Sequence, residues 1–121
     1  MKRLRVKPFH AVHPCGGDAP NIASVPYDVI NREEAVEIAK ENVDSFIRVV
    51  RSEVDFSDST SPYDDVVYQC ARKNYDHLKK IGGLIKDEEA GIYLYRQIMG
   101  DHKQVGLVAC CHVDDYNEGL I

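Results

Sequence analysis

The 121-residue sequence predicts an α+β fold, a mixed or mainly antiparallel sheet with two principal helices. Three observations lead there. Asn31-Arg32-Glu33-Glu34 and Ser61-Pro62-Tyr63-Asp64 each place helix-start chemistry ahead of apolar residues at helical spacing. Ile92-Tyr93-Leu94-Tyr95-Arg96-Gln97-Ile98 and the run from Gln104 to Val113 are β-rich arms flanking Gly100-Asp101, a turn pair. The chain shows no internal repeat or low-complexity segment, and its length fits one domain over residues 1–121.

Taken in order, Leu4, Val6, Phe9 and Val12 suggest a short strand that Pro8 confines to an edge or divides in two. The basic start, Lys2, Arg3, Arg5 and Lys7, reads as an edge protected by charge. His13 to Pro20 is a loop by its prolines, glycines and Asp18, and Ile22 to Ile30 returns to extended backbone, with Pro26 restricting Val25. A helix follows from about Arg32 to Asn42. Phe46 to Arg51 is a short β-rich run, expected to be a strand ahead of the polar linker Ser57-Asp58-Ser59-Thr60.

The second helix is expected from Pro62 to about Lys80, with Ser61 as N-cap and an apolar stripe of Val67, Cys70, Ala71, Tyr75, Leu78 and Ile81. Lys79 and Lys80 suit its negative end, and Gly82-Gly83 suits its termination. Lys86-Asp87-Glu88-Glu89 reads as a solvated connector, and Gly106 to Val113 as one strand that buries one or both of the inert thiols of Cys110 and Cys111.

Composition bounds the function. With 15 Lys+Arg against 20 Asp+Glu and a net charge of −5, the balance argues against nucleic acid as a partner. No apolar run approaches the roughly 18 residues of a membrane span, and the start lacks a signal-peptide pattern, so a cytoplasmic location without membrane contact is expected. Cys15, Cys70, Cys110 and Cys111 form no C-x-x-C, which argues against a disulfide framework. His10, His13 and Cys15 are competent metal ligands, but no complementary pair stands at zinc-finger spacing, so neither zinc nor an iron–sulfur cluster is expected.

The spacings name no enzyme, since the phosphate-loop, dinucleotide, H-E-x-x-H and G-x-S-x-G patterns are all missing. Pro26-Tyr27-Asp28 precedes a helix start, where an anion would meet free N–H groups, although Tyr27 also suits a core anchor and Asp28 a turn. Arg48 and Arg51, with Glu53 nearby, suit either phosphate or an ordinary ion-pair network. Tyr93 and Tyr95 share one strand face, and Arg96 on the other projects either into a cleft or into solvent.

Three stretches read together carry a resemblance: Ala23-Ser24-Val25-Pro26-Tyr27-Asp28-Val29-Ile30 with Arg32-Glu33-Glu34-Ala35; Ser45-Phe46 through Arg51 and Glu53; and Asp87-Glu88-Glu89 through Tyr93-Leu94-Tyr95-Arg96-Gln97 to Gly106-Leu107-Val108-Ala109. The chain resembles, over nearly all its residues, the N-terminal part of the bacterial and archaeal family catalogued as domain of unknown function 1015. That family looks similar to the ParB and sulfiredoxin-like superfamily, with related members that phosphorylate free L-serine from a nucleotide or pyrophosphate.

The resemblance implies a small-molecule phosphotransferase, with ATP, ADP or pyrophosphate as donor alongside Mg²⁺. It implies that Asp28 and Glu53 serve as catalytic carboxylates and that Tyr27, Arg51, Tyr95 and Arg96 bind phosphate or substrate, and the fork geometry of arginine adds Arg48 to the phosphate-binding candidates. Arg48 stands where the family's strand usually carries a histidine, and typical members continue into a basic, histidine-glutamate-bearing segment. Completion of the site by a C-terminal part, or self-association through an unpaired edge, is therefore expected. The alternatives are a non-catalytic ParB-like module that binds nucleotide or nucleic acid, and an inactive fragment.

Overall fold

A computed structural model describes residues 1–121. The fold is α+β: β1 (Val6–Lys7), β2 (Val12–Pro14), α1 (Ala19–Ile22), α2 (Arg32–Glu41), α3 (Ile47–Val50), a 3₁₀ turn (Ser52–Asp55), α4 (Asp65–Lys80), β3 (Leu84–Lys86), β4 (Tyr93–Met99), β5 (His102–Val108), β6 (Cys110–Cys111) and α5 (Val113–Asn117). The strands pair two by two, as β1 with β6, β2 with β3 and β4 with β5. The chain forms two units, Met1–Val12 with Lys86–Ile121, and His13–Ile85.

In the unit His13–Ile85, α2 starts where the sequence places it. The Asn31 side chain accepts from the Glu34 N–H at 2.8 Å, and the Glu34 carboxylate accepts from the Asn31 N–H at 2.9 Å, a reciprocal capping box. The cap therefore answers its own orphan donors, and the two N–H groups it uses are closed to an incoming anion. Ala35 and Ala39 present a shallow, fully buried face, and Ile47 packs into it with no exposed surface, backed by Ile30, Ile38 and Val54.

That contact corrects the strand expected over Phe46–Arg51, which is helical over Ile47–Val50 and continues into the 3₁₀ turn. A short apolar run has no periodicity of its own, so packing decides. Here the Ile47 N–H finds the Ser45 hydroxyl at 3.3 Å, the Arg51 N–H finds the Ile47 carbonyl at 2.8 Å, and the helical turn seats Ile47 on the alanines. The extended reading of Ile22–Ile30 is corrected at both ends: Ile22 ends α1, and a turn closed by the Val29 N–H on the Pro26 carbonyl replaces extended backbone at Tyr27 and Asp28. Pro20, which lacks only an N–H that a first helical turn does not use, sits near the start of α1, and extended backbone begins at Ala23 (φ −58°, ψ 138°).

The long helix begins later than expected. Ser61 is not its N-cap; Asp64 holds that position, without a side-chain cap bond. Ser61 instead closes its own turn, accepting the Tyr63 N–H on its hydroxyl at 3.2 Å and the Asp64 N–H on its carbonyl at 3.1 Å. Pro62, the second residue of that turn, has a φ that suits a turn as well as a helix start.

The C-terminus of α4 follows expectation. Gly82 takes φ +78°, its N–H donates to Lys79 and that of Gly83 to Leu78, which completes a Schellman ending. A Cβ on Gly83 would fall 2.5 Å from Ile22 Cδ1, so any side chain there would have to displace that end methyl of the buried cluster of Ile22, Leu78 and Leu84. Burial, and the Asp55 carboxylate beside it, raise the Cys70 thiol above its ordinary range.

In the unit Met1–Val12 with Lys86–Ile121, the first strand is divided as Pro8 predicts, and Phe9 pairs with Gly91 beyond it. The hairpin runs from Tyr93 opposite Val108 to Met99 opposite His102. Gly100 alone of its two turn residues has a positive φ (+59°), the pattern of a type II′ turn. Its connector is less free than expected: the Tyr93 hydroxyl donates to the Asp87 carboxylate at 2.6 Å and accepts from the Ala11 N–H at 3.1 Å. The carboxylate acceptor holds the phenol above its ordinary range.

The single strand expected over Gly106–Val113 breaks at Ala109, and Cys110 and Cys111 are both exposed rather than buried. Each cysteine pairs only with β1, Cys110 opposite Lys7 and Cys111 opposite Val6, and no second sheet covers them. His112 then caps α5 by accepting the Asp114 N–H at 3.2 Å. Asp115, almost fully buried, accepts the Arg5 backbone N–H at 2.8 Å and its guanidinium at 3.0 and 2.5 Å.

Those bonds hold the Asp115 carboxyl below its ordinary value of 3.8. A carboxyl depressed in the folded state contributes stability above its unfolded value and loses it as pH falls through the folded one. Stability should therefore fall with acidification below pH 3.8, and Asp115→Asn should flatten that part of the urea-midpoint profile while lowering the midpoint at neutral pH. Ile47→Ala should cost about 2–4 kcal/mol in urea unfolding, because the Ala35–Ala39 face cannot collapse around the void.

Candidate functional site

The sequence-predicted residues fall in both units, and in His13–Ile85 all but Arg48 converge on one turn. The Val29 N–H donates to the Pro26 carbonyl at 3.3 Å, which puts Tyr27 and Asp28 at the two central positions. Both side chains are exposed and make no hydrogen bond within the protein; Tyr27, at 62% exposure, is not a core anchor. The reactive groups of the Pro-Tyr-Asp segment thus stand outward, while its main chain is held from below.

Arg51 holds it. Its Nη1 donates to the Ile30 carbonyl at 2.8 Å and reaches the Tyr27 carbonyl at 3.4 Å, while Nε donates to Glu53 Oε1 at 2.7 Å. Arg51 and Glu53 are largely buried, their side chains 17% and 10% exposed, so neither charge is answered mainly by water. Arg51 sits at the bend between α3 and the 3₁₀ turn (φ −134°, ψ 55°), and the bend brings Glu53 back beneath its guanidinium.

Arg48 is engaged differently. Its guanidinium donates to the Ala39 carbonyl at 2.7 Å and pairs closely with Asp55, and its buried Nε has no partner. The Arg48 carbonyl in turn receives the Asn74 amide at 2.8 Å and the Ser52 hydroxyl. Arg48 therefore spans α2, α3 and α4 as a crosslink.

Sequence reasoning missed Arg32 in this network. Its guanidinium donates to the Glu53 carbonyl at 3.2 and 3.1 Å, to the Phe56 carbonyl at 2.7 Å and to Asp58 at 3.0 Å. An arginine in the first turn of a helix, against the dipole preference, was the available signal. Glu53 thus has its carbonyl held by one arginine and its carboxylate by another.

Tyr95 and Arg96 lie in the other unit, on β4. They are exposed on opposite faces of the hairpin, Tyr95 across from Gly106 and Arg96 across from Val105. Among His, Cys, Asp and Glu, no cluster of three or more is placed to hold a metal, and no helix is long and apolar enough to cross a membrane. The oxygen donor left open for a hard cation at the turn is the Asp28 carboxylate, since Glu53 is taken by Arg51.

Removing the guanidinium while leaving the carboxylate strands a buried charge. Arg51→Met should therefore destabilise by about 3–5 kcal/mol, and Glu53→Gln, which leaves the guanidinium charge unpaired but keeps an acceptor for Nε, by about 1.5–3 kcal/mol. Chemical denaturation of the two variants checks the order.

Residues 6–121 match the family described as Protein of unknown function (DUF1015). No curated protein and no solved structure gives a significant match. A match over all but the first five residues, containing both the Pro-Tyr-Asp turn and the Arg51–Glu53 pair beneath it, places this chain in the DUF1015 family.

Proposed function

We propose that this chain is part of a small-molecule phosphotransferase that acts on the hydroxyl of free L-serine, with ATP, ADP or pyrophosphate as donor. The observation that carries the reading is the support of the Pro26–Val29 turn by Arg51 and Glu53, which leaves the Asp28 carboxylate and the Tyr27 hydroxyl outward and unbonded. The choice of serine and of donor comes from the family resemblance.

In this reading the serine hydroxyl oxygen attacks the terminal phosphorus, the bond from phosphorus to the leaving oxygen breaks, and the hydroxyl proton passes to Asp28. The need is for positioning and charge neutralisation more than for covalent chemistry. Tyr27 orients a phosphate or the amino acid through its hydroxyl, and Arg51, neutralised by Glu53, acts as a positioning residue that holds the turn from beneath. Mg²⁺ bound with the donor would neutralise phosphate charge.

Incubating the whole protein of which this chain is part with L-serine, Mg²⁺ and each donor in turn, and following phosphoserine by phosphorus NMR, tests the reading. Phosphoserine should form with at least one donor, and Asp28→Asn should slow it by about a hundredfold or more, with Asp101→Asn as the silent control. No product from any donor, or full activity in Asp28→Asn, overturns it.

A further inference from the structure

The hairpin presents one face that nothing in its unit covers. On it Leu94 stands opposite Leu107, Arg96 opposite Val105, and Ile98 opposite Lys103. All six are exposed, Leu94 by 75% and Leu107 by 73%. A two-stranded hairpin is marginal by itself in water, so four uncovered aliphatic side chains mark a docking surface. The charges on this face are of one sign: Arg96 and Lys103, diagonal neighbours across the strands, have no carboxylate partner.

The other unit carries a surface of opposite sign. Glu33, Glu37 and Glu41 follow one another at i, i+4 along α2, where like charges repel. They rim a groove of about 750 Å³ with apolar lining from Ile30, Val36 and Ile38, and its two cations, Arg32 and Lys40, are already paired, with Asp58 and Glu37. Only Glu37 has a cation, the exposed Lys40 at 3.0 Å; Glu33 and Glu41 have none. In a chain of net charge −5, an aliphatic ridge with two cations and an aliphatic groove with three carboxylates are complementary in both chemistries.

We propose that the β4–β5 face of one copy docks in the α2 groove of a second copy of this chain, with Arg96 and Lys103 set against Glu33, Glu37 and Glu41. The occupant is a second copy because the complement of the hairpin is written into the same sequence. Each copy carries one ridge and one groove, so each can make two such contacts.

Sedimentation velocity on the full chain over rising concentration tests this. Self-association should appear at low salt and weaken as salt rises. Lys103→Glu alone, and Glu37→Lys alone, should each associate more than about tenfold more weakly, because like charges then meet at both contacts. An equimolar mixture of the two variants should associate again, since one contact is charge-reversed and the other native. Far-UV circular dichroism establishes that each variant is folded. A parent chain that is monomeric throughout, variants that associate like the parent, or a mixture that stays monomeric overturns the proposal. So does a monomer that co-sediments with phosphatidylglycerol vesicles through the hairpin.

Discussion

Short elements leave backbone carbonyls that no ladder or helix can satisfy, and in the unit His13–Ile85 guanidinium groups fill that need. The four-residue helix α3, the 3₁₀ turn after it and the Pro26–Val29 turn have few internal bonds. Arg32, Arg48 and Arg51 together reach carbonyls of Tyr27, Ile30, Ala39, Glu53 and Phe56. A planar group with five donors suits this work, since one side chain can serve several irregular segments at once. The other unit inverts the arrangement: Asp115 supplies acceptors for the main chain and side chain of Arg5.

The same constraint shapes the candidate site. Because Arg51 spends its donors on main-chain carbonyls and on Glu53, it fixes the shape of the turn instead of standing open beside it. The outward groups are then Tyr27 and Asp28.

Much of this was legible in local chemistry. The capping box at Asn31, the glycine ending of α4 and the Gly100-Asp101 hairpin each rest on residues within a few positions of one another, so their physics is contained in the sequence window. The site was legible in part for the same reason, because Pro26, Tyr27 and Asp28 are contiguous and Arg51 and Glu53 nearly so. The role of Arg32 was not, since its partners stand more than twenty positions away.

By itself, then, the sequence determined the α+β class, the two main helices and the hairpin, because periodicity, caps and turn residues act locally. Only tertiary structure decided that Phe46–Arg51 coils, since a run rich in Ile and Val suits a strand until Ile47 meets the flat face of Ala35 and Ala39. It decided also that Cys110 and Cys111 face solvent. Burial is a property of what lies opposite, and opposite them is a two-residue strand with no layer above it.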